Sequence, residues 1–131
     1  MNLVDSSGWL EYFADGPNAR YFAPVVKTPG QLVVPTVILY EVFKVVLRES
    51  GENAALQACA ALQKGTVIEL TAKLALAAGK LSLRHMLPMA DAVILATAGE
   101  HGATVWTQDA HFKEIAGVKY FEKRPSSNRS G

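Results

Sequence analysis

Short apolar segments alternate with helical segments along the whole chain, and this alternation limits the possible folds more than any other feature. Segments rich in β-branched and aromatic residues predict five strands, over residues 2–4, 31–34, 66–70, 103–107 and 118–121. Because a helical segment separates each strand from the next, we expect consecutive strands to run parallel. The sequence therefore predicts an α/β fold with a central, mainly parallel sheet of four to five short strands, flanked by helices.

Helix signals fill the intervals between these strands. Capping residues at the expected starts and glycines near the expected ends define most of the boundaries. Ser6 or Ser7 is expected to cap the first helix and Thr36 the third, whereas Pro24 predicts a break or kink in the second. The predicted helices cover residues 6–13, 19–27, 36–49, 52–63, 71–85, 88–101 and 109–116.

The length of 131 residues fits a single domain, expected over residues 1–122 and followed by a polar, disordered tail over 123–131. The longest nearly uncharged run, residues 86–99, is too short for a membrane span of about 20 residues and contains a carboxylate. The N-terminus has neither the basic flank nor the apolar run of a secretory signal. The single cysteine, Cys59, is expected to be a packed thiol in a reducing compartment, so we expect a cytoplasmic protein.

The charge balance is nearly neutral, with 13 basic and 12 acidic residues and a net charge of +1. This balance excludes a protein that holds nucleic acid through bulk positive charge alone. If four of the acidic residues were gathered in one site, the rest of the chain would carry 13 basic against 8 acidic residues. A polyanion could then bind around an acidic centre that holds cations.

Two aspartates follow predicted strands directly. Asp5 ends the first strand and Asp109 comes two residues after the fourth. The carboxyl ends of parallel strands are where sites form in open α/β sheets. An aspartate at such a position also commonly caps the next helix, so each residue is either a cap or a site residue on this evidence.

Glu41 belongs to the only polar stripe of an otherwise apolar helix, together with Lys44 and Arg48. One interpretation is a surface salt bridge from Glu41 to Lys44, which would contribute only about 0.3 kcal/mol. The other places Glu41 one to two turns into a helix that starts at the same sheet edge as Asp5. In that case Lys44 and Arg48 lie on the face of the site and could carry a phosphate group toward it.

Asp91 is the most informative residue, because it is the only charged side chain between His85 and Glu100. Burying a lone carboxylate costs several kcal/mol unless the group is paired, protonated or bound to a metal. The nearby helix N-terminus could offset up to about 1 kcal/mol of that cost. A ligand role explains the residue better than the helix dipole alone.

Four carboxylates at one sheet edge would repel one another unless a cation were present. Hard, oxygen-seeking ions suit such a cluster, which indicates Mg²⁺, with Mn²⁺ able to substitute. The spacing of His85, His101 and His111 does not fit zinc, and we interpret them as helix-end or surface residues. An all-carboxylate Mg²⁺ site favours phosphoryl transfer with water as the nucleophile.

Four segments together resemble the PIN-domain family, and most closely its small VapC-type toxins. They are Leu3-Val4-Asp5-Ser6-Ser7, Val33-Val34-Pro35-Thr36 with Tyr40-Glu41-Val42, Ala90-Asp91-Ala92-Val93-Ile94, and Val105-Trp106-Thr107-Gln108-Asp109-Ala110-His111-Phe112. The resemblance covers residues 1–122 and implies a PIN-like three-layer fold. It also implies a Mg²⁺-dependent endoribonuclease that cuts structured RNA, such as tRNA or rRNA, and is held inactive by a VapB-like antitoxin.

The resemblance also assigns roles to individual residues. Asp5, Asp91 and Asp109 match the family's metal-binding aspartates, and Glu41 matches a family glutamate that binds the metal through water or orients the nucleophile. Thr107 matches a supporting hydroxyl residue, and Ser6 stands where the family often has threonine. All four acidic residues are therefore expected to be catalytic, and Lys44 and Arg48 are expected to bind the RNA substrate.

The surplus of bulky apolar residues predicts contact surfaces. We expect a homodimer and an antitoxin segment lying over helices 19–27 and 36–49, with no membrane contact. A second basic stripe, formed by Lys73, Lys80 and Arg84, is interpreted as a solvated face. Three alternatives stay open: a housekeeping PIN nuclease without an antitoxin, a non-catalytic Mg²⁺-binding interaction module, and a structural protein in which the carboxylates are caps and salt bridges.

Overall fold

Five strands and six α-helices alternate over residues 1–125, the part of the chain that the computed structural model describes. The predicted α/β class is confirmed. The predicted disordered tail lies largely outside the described residues. The elements are β1 (Asn2–Val4), α1 (Ser6–Phe13), α2 (Ala19–Val26), β2 (Val33–Pro35), α3 (Thr36–Ser50), α4 (Glu52–Leu62), β3 (Thr66–Ile68), α5 (Ala72–His85), α6 (Met89–Glu100), β4 (Thr104–Thr107) and β5 (Lys119–Tyr120).

All strand pairs are parallel, and they form two small sheets. β1 pairs with β4 and β4 with β5, whereas β2 pairs with β3. An isolated parallel bridge between Asn2 and Leu32 joins the two sheets, so the strands follow one another in the order β3-β2-β1-β4-β5. The strand order reverses between β1 and β4. This is the position at which open α/β sheets form a crevice at the carboxyl ends of their strands.

The hydrophobic core has two parts. The larger part lies between the sheets and helices α1 to α4 and α6, and the smaller part joins α5 to α6. Fully buried side chains of the larger part include Leu3, Trp9, Phe22, Val34, Ile38, Leu62, Ile94 and Phe112. No helix formed by residues 1–125 is long and apolar enough to cross a bilayer.

Several predicted boundaries are wrong near proline. β2 begins at Val33, because Pro29–Gln31 forms a 3-10 turn. Pro35 is the last residue of β2 and also occupies the cap position of α3, with φ −61° and ψ 142°, so Thr36 is not the cap. Proline suits this junction because its fixed φ matches an extended strand end and its missing N–H is not needed at the start of a helix.

The predicted break at Pro24 is also wrong, since α2 runs without interruption from Ala19 to Val26. Pro24 is exposed, and the last turn is closed by Lys27 N–H donating to the Ala23 carbonyl and by Thr28 Oγ1 donating to the Pro24 carbonyl. The segment after Asp109 is shorter than predicted. It forms only a 3-10 turn, Ala110–Phe112.

Gly8 sets how closely α1 approaches the sheet. A Cβ atom at this position would lie 2.6 Å from Val4 Cγ1 and 2.8 Å from Phe22 Cε1. Both neighbours are fully buried and cannot move aside without disturbing the core. Only glycine therefore allows the first turn of α1 to pack beside β1.

We expect Gly8→Ala to lower the free energy of unfolding by about 1–3 kcal/mol through overpacking. Gly99→Ala, near the end of α6, is the matched control, because a Cβ atom there meets nothing within 4 Å. That change should raise the stability by about 0.5–1 kcal/mol through helix propensity. Urea unfolding of the three proteins measures both effects, and an equal response of the two variants would contradict the packing argument.

Candidate metal centre

Asp5 joins the end of β1 to the start of α1. The residue is 2% exposed and occupies the cap position of α1. Its Oδ1 atom accepts hydrogen bonds from Gly8 N at 3.0 Å and from Ser7 Oγ at 2.7 Å. Its Oδ2 atom accepts a hydrogen bond from Thr107 Oγ1 at 2.6 Å. Asp5 is thus a helix cap and at the same time a carboxylate at the centre of the crevice.

Ser7 and Thr107 tie the ends of β1 and β4 together. Ser7 Oγ accepts a hydrogen bond from the Gln108 amide at 3.1 Å and lies 3.3 Å from Thr107 Oγ1. Thr107 Oγ1 also accepts from the Asp109 amide at 2.9 Å. Because both hydroxyl groups donate to Asp5 and accept from the following loop, they fix Asp109 relative to Asp5.

Asp91, Asp109 and His111 meet at the same edge. His111 Nδ1 lies 2.9 Å from Asp91 Oδ2 and 3.1 Å from Asp109 Oδ1. Asp109 is held in place by capping the 3-10 turn, since its Oδ1 accepts from the His111 amide at 2.9 Å. Asp91 is buried in the first turn of α6, as its apolar surroundings in the sequence predict. One ligand atom from each of the three residues falls within a sphere small enough for a single ion.

Glu41 lies in the second turn of α3 and is half-buried. Its Oε1 atom is buried and has no hydrogen-bond partner among the described residues. The surface salt bridge to Lys44 is not formed there, since the Lys44 Nζ atom lies over the Tyr40 ring, 5.6 Å from its centre. The negative charge of Glu41 instead acts on Asp91.

The two most buried carboxyl groups have strongly perturbed pKa values. Burial raises the pKa of Asp5 to about 6, even though its hydrogen bonds act in the opposite direction. Burial likewise raises the pKa of Asp91 to about 6, and the charges of Asp109 and Glu41 add to the rise. The contact with His111 lowers the pKa of Asp91 but only partly offsets the rise. The crevice therefore concentrates negative charge without enough positive charge to balance it.

The side chains present fit a divalent cation. The donor set is three aspartates, one glutamate and one imidazole, of which the carboxylates suit Mg²⁺ and Mn²⁺. The unpartnered Glu41 Oε1 atom is the kind of buried acceptor that an ion or an ion-bound water would satisfy. A cation would also relieve the repulsion that raises the pKa of Asp91.

A second polar network supports the loop that carries Asp109. Gln108 is buried, and its side chain accepts from Asn18 Nδ2 at 3.0 Å and donates to Glu11 Oε1 at 3.3 Å. Asn18 Nδ2 also donates to the Glu122 carbonyl at 2.9 Å. These bonds link α1, the turn before α2 and the segment after β5 to the residue next to Asp109.

The structure brings together Asp5, Asp91, Asp109 and Thr107, with Glu41 close enough to Asp91 to affect its pKa. It does not bring Ser6 into this group. Among residues 1–125 no hydrogen bond is formed by the Ser6 side chain, and Ser7 supplies the hydroxyl that supports Asp5. The reason is that the capping residue is Asp5 itself, which places Ser7, two residues later, beside the capping oxygen.

The predicted RNA-binding residues lie on the exposed side of α3. Lys44 is exposed beside Tyr40, and Arg48 pairs with Glu49 at 3.2 Å. In the second basic stripe, Lys73 lies 3.7 Å from Glu100, and all three basic side chains are exposed, as expected for a solvated face.

Sequence reasoning missed His111, Ser7 and the support from Gln108. The spacing of the three histidines excludes a zinc site but gives no reason to place His111 at the crevice. The available signal is the position of His111 two residues after Asp109, because a 3-10 turn brings two residues at this spacing together. Nothing in the sequence alone distinguishes Ser6 from Ser7.

We expect the cation-free protein to lose stability as the pH rises from 4 to 7. A carboxyl group whose pKa is raised by folding binds protons more tightly in the folded state, so its contribution is lost as the pH passes through the folded pKa. With pKa values of about 6 for Asp5 and Asp91, most of the loss falls between pH 4 and pH 7. Asp91→Asn lacks one of these groups. Between pH 4 and pH 7 its free energy of unfolding should therefore rise by roughly 1–3 kcal/mol relative to that of the natural chain.

Thermal unfolding in EDTA at several pH values measures this difference. Asp15→Asn is the matched control, because Asp15 is exposed in a turn and outside the site. Adding Mg²⁺ at pH 7 should stabilise the natural chain and the control but not Asp91→Asn. Parallel pH profiles for the natural chain and Asp91→Asn would show that Asp91 carries no such repulsion.

Solved structures with the same fold include components of bacterial toxin–antitoxin systems. A toxin-antitoxin complex from Klebsiella pneumoniae contains a chain with 24% identity and a TM-score of 0.77, over 90% of this chain and 95% of that one. VapC20 from Mycobacterium tuberculosis, described as a sarcin-ricin loop cleaving toxin, has 22% identity and a TM-score of 0.75, over 91% and 98%. VapBC2 from Rickettsia felis, bound to a DNA fragment from its promoter, has 16% identity and a TM-score of 0.70, over 92% and 96%.

These similarities establish the fold. No curated protein matches the sequence. The sequence model of the PIN domain matches residues 3–118, a range that contains every carboxylate of the crevice. Because that match spans most of its length, the chain belongs to the PIN domain family.

Proposed function

We propose that this chain is a metal-dependent endoribonuclease that hydrolyses phosphodiester bonds in structured RNA and acts as the toxin of a toxin–antitoxin pair. The observation that carries the proposal is the crevice in which Asp5, Asp91, Asp109 and Glu41 gather negative charge that the chain does not balance. Membership of the PIN family supports the nuclease chemistry. The neighbours from toxin–antitoxin complexes support the biological role.

Asp5, Asp91 and Asp109 would hold the cation, with Mg²⁺ as the expected ion and Mn²⁺ as a substitute. When bound, a divalent ion lowers the pKa of an attacking water and neutralises charge that develops on the phosphate. The contribution of the protein is to fix the carboxylates before the ion arrives. Ser7 and Thr107 do this for Asp5, and the 3-10 turn does it for Asp109.

Glu41 is placed to act on the water. Its unpartnered Oε1 atom can accept a hydrogen bond from a water molecule beside Asp91. The water oxygen forms a bond to phosphorus while the bond from phosphorus to the leaving ribose oxygen breaks. Glu41 orients the water and accepts its proton, and the leaving oxygen takes a proton from solvent.

Lys44 and Arg48 are the residues that we propose for RNA binding. Both are exposed on α3, the helix that carries Glu41. A cationic side chain one to two turns beyond Glu41 can neutralise a phosphate next to the one that is cut. Such contacts position the RNA and carry no sequence information by themselves.

The central experiment is an RNA cleavage assay with purified protein. The substrates are total tRNA and rRNA, with an isolated sarcin–ricin loop added because one structural neighbour is described as cleaving it. We expect cleavage with Mg²⁺ or Mn²⁺ and none with EDTA. Asp91→Asn and Asp109→Asn should each lose at least roughly 100-fold in rate, since mutations that only disturb the support of metal ligands already cost 10–100-fold.

Asp15→Asn is again the matched control and should cut like the natural chain. Cleavage that survives in both site variants would contradict the proposed site. No cleavage by the folded natural chain with either metal and any of these RNAs would favour the non-catalytic metal-binding module instead.

We also propose that the chain binds a VapB-like antitoxin over α2 and α3. The outer side of α3 presents Tyr40 and Leu47, which are 62% and 41% exposed. A groove of about 580 Å³ continues from α3 to α1 and α4, and its lining includes Leu10, Phe13, Val45, Val46, Ala54 and Ala58. Exposed apolar side chains and an apolar groove on one helix are typical of a protein-binding surface.

The outer face of α5 supports a homodimer. Leu76, Gly79 and Leu83 follow one another at intervals of three and four residues, the spacing of a helix-pairing seam, and Met86 follows at the cap position of the helix end. Leu76, Leu83 and Met86 are 73%, 83% and 85% exposed. Pairing of two copies along this seam would bury these side chains, and Gly79 would allow a close approach of the helices.

Light scattering at micromolar concentration should therefore give the mass of a dimer. Leu83→Glu is expected to give a monomer, because a carboxylate would be buried in the seam. Leu56→Glu is the matched control on α4, where the leucine is 53% exposed but lies outside the seam, and it should stay dimeric. A monomeric natural chain would refute the dimer, and a dimeric Leu83→Glu variant would place the contact elsewhere.

A further inference from the structure

His111 is the one nitrogen donor at the carboxylate crevice within the described part of the chain. Its Nδ1 atom faces oxygen atoms of both Asp91 and Asp109, at 2.9 Å and 3.1 Å. The side chain is 56% exposed, so packing alone does not force it into this position. The chain thus presents an imidazole to two carboxylates that the proposed function already uses.

The spacing of these atoms matches that of neighbouring ligands on one ion. An octahedral ion with metal–ligand distances of about 2.1 Å places adjacent ligand atoms roughly 3 Å apart. The two distances from His111 Nδ1 agree with this value. Little movement is therefore needed for the nitrogen and the two oxygens to bind a common cation.

We propose that His111 is a protein ligand of the metal, together with Asp91 and Asp109, and that it makes the site prefer a first-row transition ion over Mg²⁺. The inference rests on the proposed metal centre and extends it to a nitrogen ligand and a metal preference. The neutral imidazole has its proton on one nitrogen only. With that proton on Nε2, the lone pair of Nδ1 is directed at the space between the two carboxylates.

The preference follows from the chemistry of the donors. Mg²⁺ takes oxygen ligands and keeps several of its waters, so an imidazole adds little to its affinity. First-row transition ions accept imidazole more readily than Mg²⁺ does, and the gain is smallest for Mn²⁺ and largest towards Cu²⁺. A histidine at this position therefore raises the affinity for Mn²⁺ more than the affinity for Mg²⁺.

Mn²⁺ is the probe for the test, since it is paramagnetic and reports on directly bound nitrogen. The natural chain with less than one equivalent of Mn²⁺ should show modulation from a coordinated imidazole nitrogen in pulsed electron paramagnetic resonance. Growth with ¹⁵N-labelled histidine should change that modulation. His111→Gln should abolish it, whereas His85→Gln, at an exposed helix end, should leave it intact.

Calorimetric titration supplies the second measurement. We expect His111→Gln to weaken Mn²⁺ binding about tenfold and to change Mg²⁺ binding by less than about twofold. Equal effects on the two ions, no effect on either, or no nitrogen modulation in the natural chain would each overturn the proposal. Failure of Mn²⁺ to bind at all would also overturn it.

The RNA cleavage assay and the nitrogen modulation are independent measurements, so the nuclease activity and the metal ligand are tested separately. Nitrogen modulation without RNA cleavage would support His111 as a metal ligand and contradict the proposed nuclease activity. Cleavage without nitrogen modulation would leave the nuclease and reduce His111 to a hydrogen-bond partner of Asp91 and Asp109.

Discussion

The structure depends on one buried carboxylate at the end of its central strand. Asp5 caps α1 through the Gly8 amide and binds the hydroxyl groups of Ser7 and Thr107, which connect it to β4. Gly8 lets this helix start lie against β1, because no side chain separates them. The contacts that fold the chain around β1 are therefore the same contacts that aim a carboxylate at the crevice.

The carboxylates of the crevice lower the stability of the folded chain. The charged form of the Asp91 carboxyl group is destabilised by burial and by the charges of Asp109 and Glu41. The surrounding apolar core and the helix caps must offset this cost for the chain to fold. The gain is that the ligands are already in place, so little reorganisation is needed when a cation and a phosphate arrive.

The alternation of strands and helices, and the anomaly of Asp91 in an apolar helix, were visible in the sequence because both follow from hydrophobic patterning. The predictions are wrong where the local backbone geometry, and not hydrophobic patterning, sets the boundary of a helix or the contact of a side chain. Pro35 replaced Thr36 at the start of α3, and Pro24 did not interrupt α2, because the local hydrogen bonds rather than residue preferences set these boundaries. His111 and Ser7 were missed because their contacts depend on a 3-10 turn and on the exact residue that caps a helix.

The carboxylates of the crevice come from both of the small sheets. Asp5 and Asp109 follow strands of the three-stranded sheet, whereas Glu41 follows the two-stranded sheet, and a parallel bridge between Asn2 and Leu32 joins them. An ion bound by Asp5 and Asp109, with Glu41 held through a water on that ion, would act as a cross-link between these two halves. Like other cross-links, it would make the halves unfold as one cooperative unit rather than separately.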